Sequence, residues 1–531
     1  MHPSVVERLA RLAPDQRAAA TAPPGPSLCI APAGSGKTTT LVARAAWLIA
    51  TGTPSDAIRA LTFNKRAAVE MTERLDAAVA PLGVEPGAVP VRTFHALGRE
   101  ILRDAGVATE PLADRAAVLT EVAPWADEAA LLGLDTAVSR LKIELGATAD
   151  DVAADPAAGP VARAFVAYER AVAATGGLDF DDLIRRSIAL LEGDAGLLGR
   201  WRDRCRELLV DEVQDVDRAQ LRLALLLAAP ANRIFLVGDD DQSIYGWRLA
   251  DVRRILGLEG LLPGLRRVDL EVNYRCPRTV VERAVRLVEH NEERFAKRIS
   301  AGPAATGQLI LAPDPSDETV RLERAIRAWP DDGSTRAILA RTNRELLPAV
   351  SVALQLDIPF RAPRIDLPIE SPHVDELLGR AGTAPPGDPP LLAWAIGHAD
   401  LDGLIEAVRD TRERLGRLRS DDAALTLATA HSTKGLEFDH VIVMGMERGR
   451  FPSARAVASA DEPTRAYEEE RRLAYVAWTR ARRSLTLVYD PAVPSPFLLE
   501  AFDAGELGLE RSVAALMPRP AITNAPGRSR G

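Results

Sequence analysis

A series of short runs, each rich in leucine or β-branched residues, punctuates the chain: "SLCI", "IRALTF", "RELLVDE", "NRIFLVG", "RRVDLEV", "RAILART", "ALTLATA" and "HVIVMGM". Each ends in a polar loop and gives way to a helical pattern. That alternation predicts an α/β fold with parallel sheets, because parallel strands are joined by helical crossovers and are buried on both faces. Ligand sites in such sheets are expected at the carboxyl ends of the strands. The runs cluster before residue 275 and after residue 305, which predicts two sheet domains, 1–103 with 178–275, and 276–369 with 423–500. Between "FHALGREILRD" and "LDFDDLIRR" the chain is alanine-rich and helical in pattern, so 104–177 reads as an insert in the first domain. A shorter segment, 370–422, holds the loop "TAPPGDPP" and reads as a reduced helical insert in the second. The tail, 501–531, ends in "MPRPAITNAPGRSRG" and is expected to be partly disordered. No internal repeat is visible.

Composition narrows the class. The 531 residues are 47% hydrophobic and 27% charged, ordinary for a globular chain. The charged N-terminus, "MHPSVVERLARLAPDQR", has no apolar signal core, and the longest apolar stretch is broken by Pro230, Asn232 and Arg233. Neither a leader nor a membrane span is expected. Cys29, Cys205 and Cys276 lie far apart with no CxxC pair, which argues against disulfides and metal clusters and for a reducing cytoplasm. The net charge of −9 supplies no global field for nucleic acid, so any such groove is local.

The loops carry the chemistry. "APAGSGKTTTL", residues 31–41, follows a strand and opens a helix. The backbone N–H groups of Ala31, Pro32, Ala33, Gly34, Ser35 and Gly36 (proline excepted) can wrap phosphates, aided by the helix N-terminus. Lys37 would contact the β- and γ-phosphates of ATP, Thr38 would ligate Mg²⁺, and Thr39 follows. In "ELLVDEVQD" Asp211 can hold the Mg²⁺ through water while Glu212 polarises an attacking water. "VGDDDQSIYGWR", residues 237–248, sets three acids beside two large aromatics. In isolation it reads as a solvated turn with the aromatics folded onto the core. Arg275 follows the strand of "LEVNYRC", and Arg480 falls on an expected helix in "EEERRLAYVAWTRARR". "EEERR" by itself reads equally as a solvated helical face with i,i+4 ion pairs.

Taken in order, these motifs resemble superfamily 1 DNA helicases of the UvrD/Rep/PcrA type. The matching segments are "APDQRAAA", "APAGSGKT", "LTFNKRAAVEM", "VRTFHALG", "LLVDEVQD", "VGDDDQSIYGWR", "LEVNYR", "ARTNREL", "TAHSTKGLEFDHVIVMGM" and "YVAWTRA". The resemblance implies two RecA-like domains that use ATP and Mg²⁺. It implies that Gln16 reads the adenine edge, Tyr274 stacks on the ring and Glu437 approaches the ribose. Gln242 would sense the γ-phosphate, with Arg275 and Arg480 as arginine fingers. Tyr245, Trp247 and Arg248 would face single-stranded DNA, with Trp247 stacking on a base. Phe63, Asn64, Thr93, His95, Thr342, Asn343 and His431 fall on further DNA-side motifs. A lone histidine such as His95 is otherwise more often a core residue.

Departures accompany the likeness. Ala31 and Pro32 stand where glycines are usual, Thr39 where relatives often carry arginine, and Leu249 where a glycine follows the tryptophan–arginine pair. None touches the lysine, the Mg²⁺ positions or the water-activating acid. The expected activity is ATP-driven 3′→5′ movement on single-stranded DNA with strand separation at single-strand/duplex junctions, in DNA repair or recombination. Two other readings remain open: the motor subunit of a multi-protein repair or defence complex, with a partner protein supplying duplex contacts, and a nucleotide-gated DNA-binding regulator without stepping. The short interval between "ARTN" and "TKGLEF" predicts a vestigial second insert and poor unwinding of long duplexes alone.

Overall fold

A computed structural model describes residues 1–144, 148–155, 159–381 and 401–508. The chain divides into two compact units, 1–281 with 291–305, and 282–290 with 306–531. The strands of the first unit are β1 (Ser27–Ile30), β2 (Ile58–Thr62), β3 (Val91–Thr93), β4 (Glu207–Val210), β5 (Ile234–Gly238) and β6 (Arg266–Asp269). They form a parallel sheet in the order β3-β2-β4-β5-β1-β6. A small parallel pair, β7 (Val272–Asn273) and β8 (Ser300–Ala301), follows.

Both faces of this sheet are covered, as a parallel sheet requires. Along β1, Leu28 and Ile30 enter one core while Cys29 enters the other; along β5, Ile234 and Leu236 separate likewise from Phe235 and Val237. The period of two in each strand therefore feeds two apolar layers, which is why these runs are continuously hydrophobic. All three cysteines are buried thiols, and none is in a disulfide.

Among the described residues between 105 and 177, helices Arg115–Val122, Glu128–Ile143, Ala149–Ala154 and Pro160–Ala174 supply the structure. They pack around Leu119, Leu134, Val138, Phe165 and Tyr168. A buried charge ties them to the segment that follows: Lys142 Nζ lies 2.7 Å from Glu169, 2.7 Å from Asp179 and 3.1 Å from Asp182. The Tyr168 hydroxyl donates to Asp179 at 2.7 Å, and Arg115 pairs with Asp179 and Asp181.

The second unit repeats the plan with β9 (Gln308–Pro313), β10 (Arg336–Ala340), β11 (Phe360–Arg361), β12 (Leu425–Thr429), β13 (Phe438–Val443) and β14 (Ala481–Tyr489). Its strands are parallel in the order β11-β12-β10-β13-β14-β9. Between β11 and β12 lie helices Pro372–Ala381 and Leu401–Leu418. They share a small cluster of Val374, Leu404 and Val408, while Leu415 and Leu418 join the core of the sheet. The loop "TAPPGDPP" and the final tail from 509 lie outside the described residues. No described helix is long and apolar enough to cross a membrane.

Candidate ATP site and nucleic-acid face

In the first unit the expected site residues other than Gln16 lie at the carboxyl ends of strands or in the loops and first turns that follow them. After β1 the loop turns through Gly34 (φ 69°) and Gly36 (φ 87°) into helix Lys37–Ala50. Close approach as well as φ demands glycine here. A Cβ on Gly34 would lie 2.5 Å from Asn273 Oδ1, and one on Gly36 2.7 Å from Gln16 Nε2. Gln16 is buried, accepts from Ala13 N at 3.1 Å and donates to Ser35 O at 2.8 Å. On the other side Tyr274 N donates to Gly34 O at 2.9 Å, and the Tyr274 ring is exposed. Asn273 Oδ1 accepts from the backbone N–H groups of Arg275 and Cys276, fixing the turn that presents Arg275.

Lys37 Nζ lies 3.6 Å from Glu212 Oε2 and makes no hydrogen bond; the Ser35 hydroxyl is likewise buried without a partner. Polar atoms left so cost free energy unless a ligand completes them. They suit a phosphate chain at this loop. Asp211 follows β4, its N–H bonded to Leu61 O, and its Oδ1 accepts from Glu212 N at 3.0 Å. Thr38 opens the helix after the loop. A hydroxyl and a carboxylate are hard oxygen donors of the kind Mg²⁺ takes in nucleotide sites. Glu212 is a non-glycine residue in the left-handed region (φ 53°, ψ 44°), a costly conformation of the sort concentrated at functional positions.

The acid-rich loop inverts its isolated reading. Asp239, Asp240 and Asp241 are each 0% exposed, whereas Trp247 is 61% exposed. The acids are buried because the chain returns with cations: Lys297 Nζ meets Asp239 at 2.9 Å, Asp241 at 2.8 Å and also Asp240, while Arg294 pairs with Asp241 at 2.8 Å. Burial raises the Asp240 carboxyl to about 6 against the pull of Lys297; in Asp241 the cations overcome burial and hold the carboxyl low. Gln242 Nε2 donates to Asp239 Oδ2 at 2.7 Å.

From that anchored base the loop projects an aromatic ladder. Tyr245 stacks on Phe63 with centroids 5.0 Å apart and planes 13° apart, Trp247 meets Tyr245 edge-on at 6.2 Å, and Arg248 sits 4.8 Å over the Trp247 ring. Beside it opens a cavity of about 810 Å³ whose walls include Phe63, Asn64, Thr93, His95, Trp247 and Arg248. Asn64 and Thr93 cap helices Lys65–Val79 and Phe94–Asp104, accepting from Ala67 N and Ala96 N. Each therefore has a local structural duty besides facing the cavity. His95 stacks on Phe180 at 3.9 Å, and burial lowers its pKa to about 4, so the ring is neutral. Sequence reasoning passed over Phe180, Gln214, Arg294 and Lys297. Phe180 was hidden in "LDFDDL", read only as a boundary, and Lys297 in "RFAKRIS" looks like any surface basic run.

In the second unit the expected site residues occupy both edges of the sheet. Thr342 and Asn343 follow β10 and His431 follows β12, at the carboxyl edge. Glu437 and Arg480 instead precede β13 and β14, at the amino edge, joined by a bond from Phe438 N to Arg480 O at 3.0 Å. The expectation that sites lie only at carboxyl ends fails for this pair. Nor is Arg480 on a helix: Pro463–Trp478 ends before it, and its guanidinium donates to Val476 O and Leu436 O, satisfying a last-turn carbonyl. "EEERR" is no solvated face either. Glu470 binds Arg341 at 2.6 Å, Arg471 binds Glu500, and Arg472 binds Glu468, all nearly buried. Burial, reinforced by Arg341, lowers His431 to about 3.

Comparison with known proteins agrees with this architecture. The UvrD/REP helicase N-terminal domain matches residues 12–263, and the UvrD-like helicase C-terminal domain matches residues 399–491. DNA helicase II of Escherichia coli (strain K12) is 28% identical over 614 aligned residues, covering 89% of this chain and 84% of that protein. ATP-dependent DNA helicase PcrA of Staphylococcus aureus (strain Mu50 / ATCC 700699) is 28% identical over 602, covering 88% and 81%. With an N-terminal and a C-terminal helicase domain matched in order, and relatives aligned over most of both chains, the chain belongs to the UvrD-like helicases.

Proposed function

We propose that this protein is an ATP-dependent DNA helicase that moves 3′→5′ along single-stranded DNA and acts in DNA repair or recombination. One observation carries the reading most: the loop that bonds Gln242 to Asp239 beneath the phosphate site also projects Tyr245 and Trp247 onto Phe63. A nucleotide event and a base grip thus share one short segment. Stacking on aromatics tolerates any base and contributes ~1–3 kcal/mol per base, which suits a motor.

Lys37 would neutralise the β- and γ-phosphates, and the Ser35 hydroxyl and loop N–H groups would complete their hydrogen bonding. Thr38 and Asp211 would hold Mg²⁺, which supplies charge neutralisation when bound. Glu212 would orient and deprotonate the attacking water. Resemblance alone assigns Gln16 and Tyr274 to the adenine, Glu437 to the ribose, and Arg275 and Arg480 to the finger roles. His95, His431, Thr342 and Asn343 are assigned to DNA on the same basis.

The 614-residue alignment exceeds the length of this 531-residue chain, so the relatives carry segments that it lacks. That supports a reduced second insert at 370–422 and, as a second reading, a motor that strips or translocates within a larger assembly and unwinds poorly alone. The test is ATP hydrolysis with single-stranded DNA, duplex DNA and RNA in parallel, then strand separation on 3′- and 5′-tailed duplexes. Lys37→Ala and Glu212→Gln should each cut DNA-stimulated hydrolysis by ~100-fold or more. Retained hydrolysis in either variant defeats the site assignment, and preference for a 5′ tail defeats the polarity.

A further inference from the structure

Gln214 is buried between the expected base and the acid-rich loop. Its amide Nε2 donates to Glu212 Oε2 at 2.5 Å, and its Oε1 accepts from Asp239 N at 3.0 Å. Its backbone carbonyl accepts from the Ser243 hydroxyl at 3.3 Å. One residue thus grips the Glu212 carboxylate with one end of a rigid amide and the root of the loop with the other. The loop has made room for it: a Cβ on Gly238 would stand 2.4 Å from Gln214 Oε1. Asp239, bonded to Gln214 through its N–H, in turn accepts from Gln242 and pairs with Lys297 through its carboxylate.

We propose that Gln214 is a positioning residue that couples the grip on DNA to the orientation of Glu212, a role that rests on reading Glu212 as the water-activating base. A base stacking on Trp247 or Tyr245 loads the loop at its far end; the loop's root is bonded to the Gln214 amide, and the other end of that amide fixes the Glu212 carboxylate. The primary amide accepts from a backbone N–H through its oxygen and donates to a carboxylate through its nitrogen, bridging the two groups at once. The donated bond is charge-assisted and restrains the rotamer of the carboxylate. The left-handed backbone at Glu212 leaves it outside any regular helix that would otherwise fix its side chain.

The test compares kcat with and without saturating single-stranded DNA in the full-length chain. Gln214→Met keeps the volume and removes both bonds; Gln214→Glu keeps the acceptor for Asp239 N and, while ionised, sets a like charge against Glu212 in place of the donated bond. Both should lose the DNA stimulation of kcat by ~10-fold or more, a fraction of the effect of losing the base itself, while the KM for ATP and the affinity for single-stranded DNA change by less than ~3-fold. If Gln214→Met does not fold, Gln214→Glu decides. A folded variant with wild-type stimulation overturns the coupling, as does a parallel loss of DNA affinity and ATP binding, which would mark a merely structural residue. Glu212→Gln in the same assay separates the two failures. If it still hydrolyses ATP, the reading of the base falls and the coupling with it; if it is inactive while Gln214→Met is stimulated normally, the coupling alone falls.

Discussion

Leu249 occupies a backbone conformation, φ 65° and ψ 16°, that costs an L-residue with a branched side chain roughly 1–2 kcal/mol. The sequence flagged this position because a glycine usually stands there, and the left-handed turn supplies the physical reason. Leu249→Gly should relieve the strain and, after the extra flexibility of the unfolded chain is subtracted, stabilise the first unit by about 1 kcal/mol. A higher urea midpoint with unchanged slope would show it; a lower midpoint would mean that contacts of the Leu249 side chain outweigh the strain. Other single residues were legible for the same local reasons. Lys37 was readable because a strand, a small-residue loop and a helix surround it. Phe180 was not, because its partner His95 is distant in sequence and stacking leaves no local pattern.

The acid-rich loop shows what an element hides from its own sequence. Three adjacent aspartates look solvated until the cations that enclose them are known, and those come from residues 294 and 297, beyond the next strands. Burying charges requires compensating partners, so the loop depends on Lys297 far more than a surface ion pair would. Lys297→Met should destabilise the first unit by about 3–5 kcal/mol, the cost of leaving buried charge without its counter-ion. Urea unfolding followed through the tryptophans checks this, and a loss under about 1 kcal/mol, typical of exposed pairs, would contradict it. Strands β1, β4 and β5 were legible because each is a nearly continuous apolar run, whereas β6 ("RRVD") and the two-residue β11 carry no such signal; "EEERR" was misleading because i,i+4 spacing says nothing about which face is covered.

For the molecule as a whole, two parallel sheets followed directly from the alternation of runs and helical patterns. Which edge of the second sheet carries Glu437 and Arg480 did not, because crossover connections let a motif precede a strand as easily as follow it. The net charge of −9 bears on DNA binding at this scale. Affinity for single strands should fall with added salt at a log–log slope of ~0.7 per phosphate contact, amounting to only a few contacts. A salt titration by fluorescence anisotropy measures it, and salt-independent affinity would contradict a local basic strip. The way the chain is divided also sets an order of manufacture. The path leaves the first unit after residue 281, spends residues 282–290 in the second, and comes back for 291–305 with the lysine that closes the acid cluster. During synthesis the amino-terminal part emerges first, yet until Lys297 has left the ribosome it holds three aspartates with nowhere favourable to be buried. Its acid-rich loop is thus completed late, by a stitch made after the second unit has been started, and a nascent chain stalled before that stitch should remain open to proteases.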